Sequence, residues 1–431
     1  MLQQRQSRTN SSRSGSSYGS SRSTDSQRTS NSRPGSRSSN PGSRPRFDRP
    51  MQGAGRPTRV QKTMDIDYNI LIKEAKPVAI TDYTPSKTFA EHGLSDHLVQ
   101  SLTAKGYTQP TPIQDQIMGH IMGRKDVIGI ANTGTGKTAA FLLPLIDQVY
   151  NDLDKSILVL APTRELAGQI YTELKSFVNH SSVSSTLVVG GVGPQTQINA
   201  LRKPKNFIIS TTGRGLDLIN QGFFPIGTVD TIVLDEMDQM LDMGFISDIR
   251  KILGMAKKCR HLLFFSATTS PSINKIAGEL LTNPVTVSVV QGQTSDNVNQ
   301  DVITVGPDDN KFDMLCELLQ KPEVSKAIVF ENTKHGSARI ERELVKRGFK
   351  ALAIHGNKNQ NQRTRALDAF KQGHINVLIA TNVAARGLDI PQVSHVINYS
   401  LPQSKEDYTH RIGRTGRAGE VGQAYTFIDK R

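Results

Sequence analysis

From residue 89 onward, apolar residues fall in short unbroken runs of four or five, with amphipathic stretches between one run and the next. The runs at 126–130, 156–160, 186–189, 207–210, 231–234 and 262–265 are too short for helices and show no polar alternation. That pattern predicts strands buried on both faces. Arg164–Phe177 and Pro194–Leu201, which lie between them, have helical spacing. Buried strands separated by helices make a parallel, doubly wound sheet, whose ligand sits beyond the carboxyl ends of the strands. A second series at 302–305, 327–330, 351–354, 377–380 and 393–397 predicts another α/β domain, with 424–428 as its last strand. The polar, turn-rich stretch 291–297 predicts a hinge. The expected organisation is two tandem α/β domains at 89–289 and 300–431, joined by a hinge at 290–299. A transition segment at 63–88 precedes them, and order is expected to begin near Phe89.

Composition changes the picture mainly at the start of the chain. Residues 1–62 hold sixteen Ser and few large apolar side chains, and cannot bury enough surface to offset their ordering entropy. The net charge of +14 is concentrated there: twelve Arg and Lys62 face only Asp25 and Asp48, a net of +11. A disordered basic tail of Arg/Ser and Arg/Gly spacing suits sequence-independent, salt-sensitive contact with a phosphate backbone. No apolar run is long enough to cross a bilayer and no signal sequence opens the chain, so a soluble, cytoplasmic, non-exported protein is expected. Cys259 and Cys316 lie far apart without metal-ligand spacing, which fits structural thiols in a reducing compartment.

The candidate chemistry centres on Ala131-Asn132-Thr133-Gly134-Thr135-Gly136-Lys137-Thr138, which follows a predicted strand and opens a helix. Gly134 and Gly136 let backbone N–H groups turn toward phosphate oxygens, and the helix N-terminus adds partial positive charge. In such a loop Lys137 reaches the β- and γ-phosphates and the Thr138 hydroxyl holds Mg²⁺. About a hundred residues later the strand at 231–234 ends in Asp235-Glu236-Met237-Asp238. Asp235 would hold Mg²⁺ opposite Thr138, largely through water, and Glu236 would orient and deprotonate an attacking water. The plainer reading of four residues with three carboxylates, an acidic helix start, loses ground once the phosphate loop is present.

With these residues in hand, the chain resembles the DEAD-box ATP-dependent RNA helicases of superfamily II, with Asp-Glu-Met-Asp at the family's signature position. The resemblance runs from Phe89 almost to Arg431. It implies two RecA-like domains, ATP and Mg²⁺ as ligands, and RNA as partner, either a single strand or a short duplex, read largely without regard to sequence. It also implies a monomer free of membrane, with ribonucleoprotein assemblies as its setting. Gly106-Tyr-Thr-Gln-Pro-Thr-Pro-Ile-Gln114 matches the adenine-reading motif; by resemblance Phe89 stacks on adenine and Gln114 bonds its edge. Ala131 in place of a glycine is the family's habit.

Pro162, Thr163, Arg164, Gly191, Thr211, Gly213 and Arg214 fall in loops that match RNA contacts of the first domain, and Gly356, Arg363 and Thr381 in those of the second. Asp238, Ser266, Thr268 and His410 match residues that couple the ATP and RNA sites. Asp389 would contact the ribose. His410-Arg-Ile-Gly-Arg-Thr-Gly-Arg417 places Arg411, Arg414 and Arg417 on one face if it is helical, and the family implies that Arg414 and Arg417 act as arginine fingers on the γ-phosphate. Glu236, Lys137, Asp235, Arg414 and Arg417 thus form the expected catalytic set. Met237, Thr212 and Thr269 depart from the family's usual alanine, proline and methionine without removing a reactive group. A DNA translocase built on the same engine and a non-hydrolysing RNA clamp are the alternatives. Stimulation of ATP turnover by RNA against DNA separates the first, and phosphate release the second.

Overall fold

The computed structural model describes residues 71–76, 83–132, 134–178, 182–289, 294–385, 390, 392–416 and 420–430. All of them lie in the unit that runs from Lys62 to Arg431; the basic tail at 1–62 lies outside them, as do Thr133, Asp389 and Arg417.

The first domain is a seven-stranded sheet, and every pair in it is parallel. Its strands are β1 (Val127–Ile130), β2 (Ile157–Ala161), β3 (Ser185–Val188), β4 (Phe207–Thr211), β5 (Thr231–Leu234), β6 (His261–Ser266) and β7 (Val285–Ser288), in the order β3-β4-β2-β5-β6-β1-β7. The apolar runs are central strands because helices cover both faces. One layer gathers Leu98, Ile117, Phe141 and Ile170, and the other Ile198, Leu218, Ile249 and Ile276. The helix Lys137–Asn151 is buried along most of its length and packs against Pro112–Met122. Ridge-to-groove contact of that extent holds the start of each helix in a fixed place.

The second domain is a six-stranded parallel sheet. It comprises β8 (Val298–Val305), β9 (Ala327–Phe330), β10 (Ala351–Ile354), β11 (Val377–Ala380), β12 (His395–Asn398) and β13 (Gly422–Asp429), in the order β10-β11-β9-β12-β13-β8. Most strand bounds differ by a residue or two from those predicted. Two differences are larger. β7 is a short edge strand of mixed polarity, which leaves no continuous apolar run to see. β8 begins at Val298, inside the stretch 290–299 assigned to the hinge, because its first turns of sequence, Val-Asn-Gln-Asp, look like loop.

Order does not begin at Phe89. Leu71 is 1% exposed and belongs to the core of the second domain, with Val298, Tyr408 and Ile428. Lys73 pairs antiparallel with Gln300 through N–H···O bonds of 3.0 and 2.8 Å, and its ammonium lies 2.6 Å from Asp296. The Ala75 N–H donates to Asn299 Oδ1 at 2.7 Å. Thus residues 71–76, upstream of the first domain in sequence, seat on the edge strand of the second. Residues 83–88 seat instead on the first domain, where Tyr83 and Ser86 bond Asp115. Leu71→Ala should lower the unfolding free energy of the second domain by about 2–4 kcal/mol, the usual result of emptying a buried leucine site. An unchanged urea midpoint for that domain would mean the segment is not part of its core.

Candidate functional site

β5, β6 and β1 are neighbours, so the loops after them meet at one edge of the first sheet. Ala131 N–H donates to Ser266 O at 3.1 Å, which ties the loop after β1 to the end of β6. Asp238 ties the loop after β5 to the same place: its Oδ2 accepts from Ala267 N, Thr268 N and Thr268 Oγ1, each at 3.1 Å. Ser266 Oγ donates to Thr268 O at 2.8 Å. Of the residues predicted to couple two sites, Asp238, Ser266 and Thr268 therefore form one network.

The loop 131–138 is a backbone cradle. Gly134 and Gly136 have φ of 88° and 92°, left-handed values that glycine adopts without strain. A Cβ on Gly136 would come within 2.5 Å of Gln114 Nε2. Among the described residues no side chain caps the helix that starts at Lys137, which leaves its first N–H groups to a ligand. Lys137 Nζ donates to Ala131 O at 2.6 Å and Thr135 Oγ1 to Asn132 O at 2.8 Å. Gln114 is 1% exposed; its Oε1 accepts from Thr111 N at 3.0 Å and its Nε2 donates to Gly136 O at 3.1 Å. Phe89 is buried beside Leu94 and Ile113.

Opposite the cradle, Asp235 and Glu236 are both buried. Glu236 has φ 57° and ψ 53°, a left-handed conformation costly for a residue with a Cβ, where the chain turns from β5 into the helix Met237–Asp242. Asp235 Oδ1 accepts the Glu236 N–H at 3.0 Å. Burial pushes the Asp235 carboxyl up to about 6, against the pull of Lys137. Burial and the neighbouring Asp235 push Glu236 up to about 7, against the pull of Arg414 and Lys137. Glu236 Oε2 has no hydrogen-bond partner among the described residues. Two buried carboxylates short of positive charge, one with an open oxygen, fit a site that receives a divalent cation and a water. Thr138 is the second residue of the helix that begins at Lys137 and is half-buried. Met237 is fully buried in the core beneath, so the larger side chain is absorbed by packing.

The second domain brings Arg414 close enough to act on Glu236. Arg411 and Arg414 do not share a helix face, because the helix Lys405–Ile412 stops at Gly413; Arg417 lies outside the described residues. Arg411 lies inside it and is a strut: its guanidinium donates to Asn398 Oδ1, Ser400 O and Asn332 Oδ1 and covers the Phe330 ring. Arg414 follows the turn, and its Nε donates to His410 O at 3.2 Å.

Several polar loop residues cluster on another side of the first domain. Thr163 caps the helix Arg164–Phe177, accepting from Leu166 N at 3.2 Å, and Pro162 precedes it, buried. The Arg164 guanidinium lies against Gly190 and Gly191, where a Cβ at 191 would collide with it. Arg214 reaches Val192 O at 3.3 Å, so two arginines converge on one loop. Thr211 precedes the helix Thr212–Asn220 and Gly213 is exposed on it. From the second domain, Gly356 is exposed and Thr381 half-buried. Arg363, expected to face a ligand, is instead paired across the domains, 3.0 Å from Glu165, whose other oxygen accepts from Gln360 at 3.0 Å. A cleft of about 860 Å³ runs beside this pair, lined by Arg164, Thr196 and Gln197 on one side and Thr364, Asp368 and Lys371 on the other. Sequence reasoning missed Glu165 as the cross-domain partner; a lone carboxylate at a helix start carries no such signal.

Known proteins resemble this chain in sequence and fold. Residues 111–276 match the DEAD/DEAH box helicase family and residues 310–419 the helicase conserved C-terminal domain family. The chain is 46% identical over 348 residues to the DEAD-box ATP-dependent RNA helicase CshA of Bacillus cereus, and likewise to that of Bacillus anthracis. Those matches cover 80% of this chain and 66% and 65% of the relatives, just under two thirds of their length. Dbp5 of S. cerevisiae, solved with RNA and ADP BeF3, is 32% identical with a TM-score of 0.70 over 80% of this chain and 90% of that one. Mss116p, solved with ssRNA and AMP-PNP, is 28% identical with a TM-score of 0.72 over 81% of this chain and 76% of that one.

The elevated Glu236 carboxyl carries a stability test. Its folded value lies above the unfolded one, so its charge destabilises the ligand-free fold above about pH 7, and the penalty fades as pH falls and the group takes up a proton. Glu236→Gln should stabilise the ligand-free protein by about 2–3 kcal/mol at pH 8. The gain should shrink toward pH 5; a gain equal at both would show that charge is not its source.

Proposed function

This chain belongs to the DEAD-box helicase family, and from that premise we propose that it is an RNA-stimulated ATPase that unwinds short duplexes or remodels RNA–protein complexes. The observation that supports this most is the pair of buried carboxylates at 235 and 236. Glu236 keeps an open oxygen there, and an arginine from the second domain lies close by. One domain supplies the cradle and the base, and the other supplies the charge that makes the base useful.

In this reading the contacts of the ligand-free site are placeholders. Lys137 exchanges the Ala131 carbonyl for the β- and γ-phosphate oxygens, the N–H groups of 134–138 take the remaining phosphate charge, and Gln114 turns its amide to the adenine edge. Phe89 lies against the base and Asp389 against the ribose. Thr138 and Asp235 would hold Mg²⁺, which would supply neutralising charge when bound. Glu236 accepts a proton from water as its oxygen attacks the γ-phosphorus. The bond from that phosphorus to the ADP oxygen breaks, and Arg414 and Arg417 stabilise the charge in transit. Asp238, Ser266, Thr268 and His410 carry the state of this site to the RNA loops. Arg164, Arg214, Gly191, Gly213, Thr211, Pro162 and Thr163 of the first domain, with Gly356, Thr381 and Arg363 of the second, hold the strand by its backbone. Glu165 lines the cleft between the two sets and pairs with Arg363, so the making and breaking of that pair accompanies domain closure.

The domain limits we propose are 83–289 for the first domain and 298–431 for the second, with residues 71–76 seated on the second, a link at 290–297 and a basic tail at 1–62 that adds RNA affinity. The protein acts as a monomer in the cytoplasm, among ribonucleoprotein assemblies. No helix among the described residues is long and apolar enough to cross a membrane.

Glu236→Gln should lower ATP turnover by at least about a hundredfold while leaving ATP binding in place; turnover at the parent rate would refute the role of Glu236. RNA should stimulate the parent enzyme well beyond DNA of equal length, and equal stimulation would point to a translocase on either polymer. Deleting residues 1–62 should weaken RNA binding about tenfold near 0.1 M salt and flatten its salt dependence. Turnover at saturating RNA should stay as it was. An unchanged salt slope would remove the tail from the RNA contact.

A further inference from the structure

Asp115 follows Gln114 on the helix Pro112–Met122, and its carboxylate is saturated by donors from one short upstream segment. Tyr83 Oη donates at 2.5 Å, Ser86 N at 2.7 Å and Ser86 Oγ at 2.9 Å, and His92 Nε2 lies at 2.8 Å. Both members of the His92–Asp115 pair are nearly covered, at 3% and 2% side-chain exposure. These donors bracket Phe89. Ser86 lies three residues before it and His92 three after, and the intervening turn is closed by His92 N–H to Thr88 O and Gly93 N–H to Ala90 O. Burial pushes the Asp115 carboxyl up, but the bonds from Tyr83, Ser86 and His92 outweigh it and hold it at about 2, so the group is ionised wherever the protein works.

The neighbouring Gln114 points the other way, to Thr111 and to Gly136 of the cradle. One turn of helix thus holds, at adjacent positions, the amide assigned to the adenine edge and the anchor of the segment that carries the aromatic ring. We propose that Asp115 is a positioning residue for base recognition: it sets the place of Phe89 relative to Gln114, and with it the preference for an adenine nucleotide. This rests on the assignment of Phe89 and Gln114 to the adenine. A carboxylate that served stability alone would have no reason to bind both flanks of that one aromatic residue.

The test compares Asp115→Asn with the parent in RNA-stimulated turnover of ATP and of GTP, with thermal unfolding of each. The amide keeps the size but presents N–H groups to donors already aimed at it. The expected result is a KM for ATP raised about tenfold, kcat at saturating ATP within about twofold, and a smaller ratio of ATP to GTP specificity. Should Asp115→Asn not fold, the pair Tyr83→Phe and Ser86→Ala removes donors one at a time, and KM for ATP should then rise in steps. Unchanged KM and ATP/GTP ratio, with only the melting temperature lowered, would overturn the proposal. A parent that does not turn over ATP at all would instead overturn the assignment of the site.

Discussion

The site exists because β5, β6 and β1 run parallel and side by side in one register. Ile130 pairs with Ser266 and Leu234 with Phe264, so the three chains leave the sheet at the same edge and nearly the same height. Residues more than a hundred positions apart are thereby brought within hydrogen-bond reach, and Asp238 and Ser266 join the loops into one body. A slip of one residue in any of these strands would exchange the side chains packed on its two faces and carry its loop away from the others. Helix layers on both faces make that slip prohibitive, so the precision of the site is inherited from the packing of the domain.

Against that well-packed background, the site itself is unfavourable. Glu236 has a left-handed backbone, its carboxyl is buried beside that of Asp235, and one of its oxygens is left without a partner. Each of these features opposes folding, and the buried charge and the open oxygen would be relieved by the cation and water proposed for the site. The fold carries the strain in advance, so the ligands arrive to groups already oriented.

How much of this was legible in the sequence depended on whether a residue's role left a local mark. The central strands left one, as unbroken apolar runs, and so did the cradle, whose glycines and lysine keep a spacing that packing alone does not require. Asp235 and Glu236 were legible as carboxylates just beyond such a strand. The edge strand β7 and the first half of β8, Val298–Asp301, were not, since they are polar where a sheet ends. Arg411 was expected on one face with Arg414 and Arg417, and Arg363 in a loop that meets RNA, yet one is held in the core by carbonyl and amide oxygens and the other by Glu165 from a different domain. Asp115 gave no sign either, because its four donors come from a stretch of unremarkable loop composition. Contacts of that kind are made in three dimensions and have no signature in one.

The seating of residues 71–76 on the second domain makes the two domains members of a closed chain. They are joined at one place by the link after β7 and at another by the chain between Lys76 and Tyr83. Only six residues separate those two anchors, and a fully stretched chain of that length reaches no further than about 25 Å. With both anchors seated, the domains can swing but cannot drift apart, in the manner of a door fitted with a check strap. The second domain's search for the ATP site then covers an arc in place of a volume.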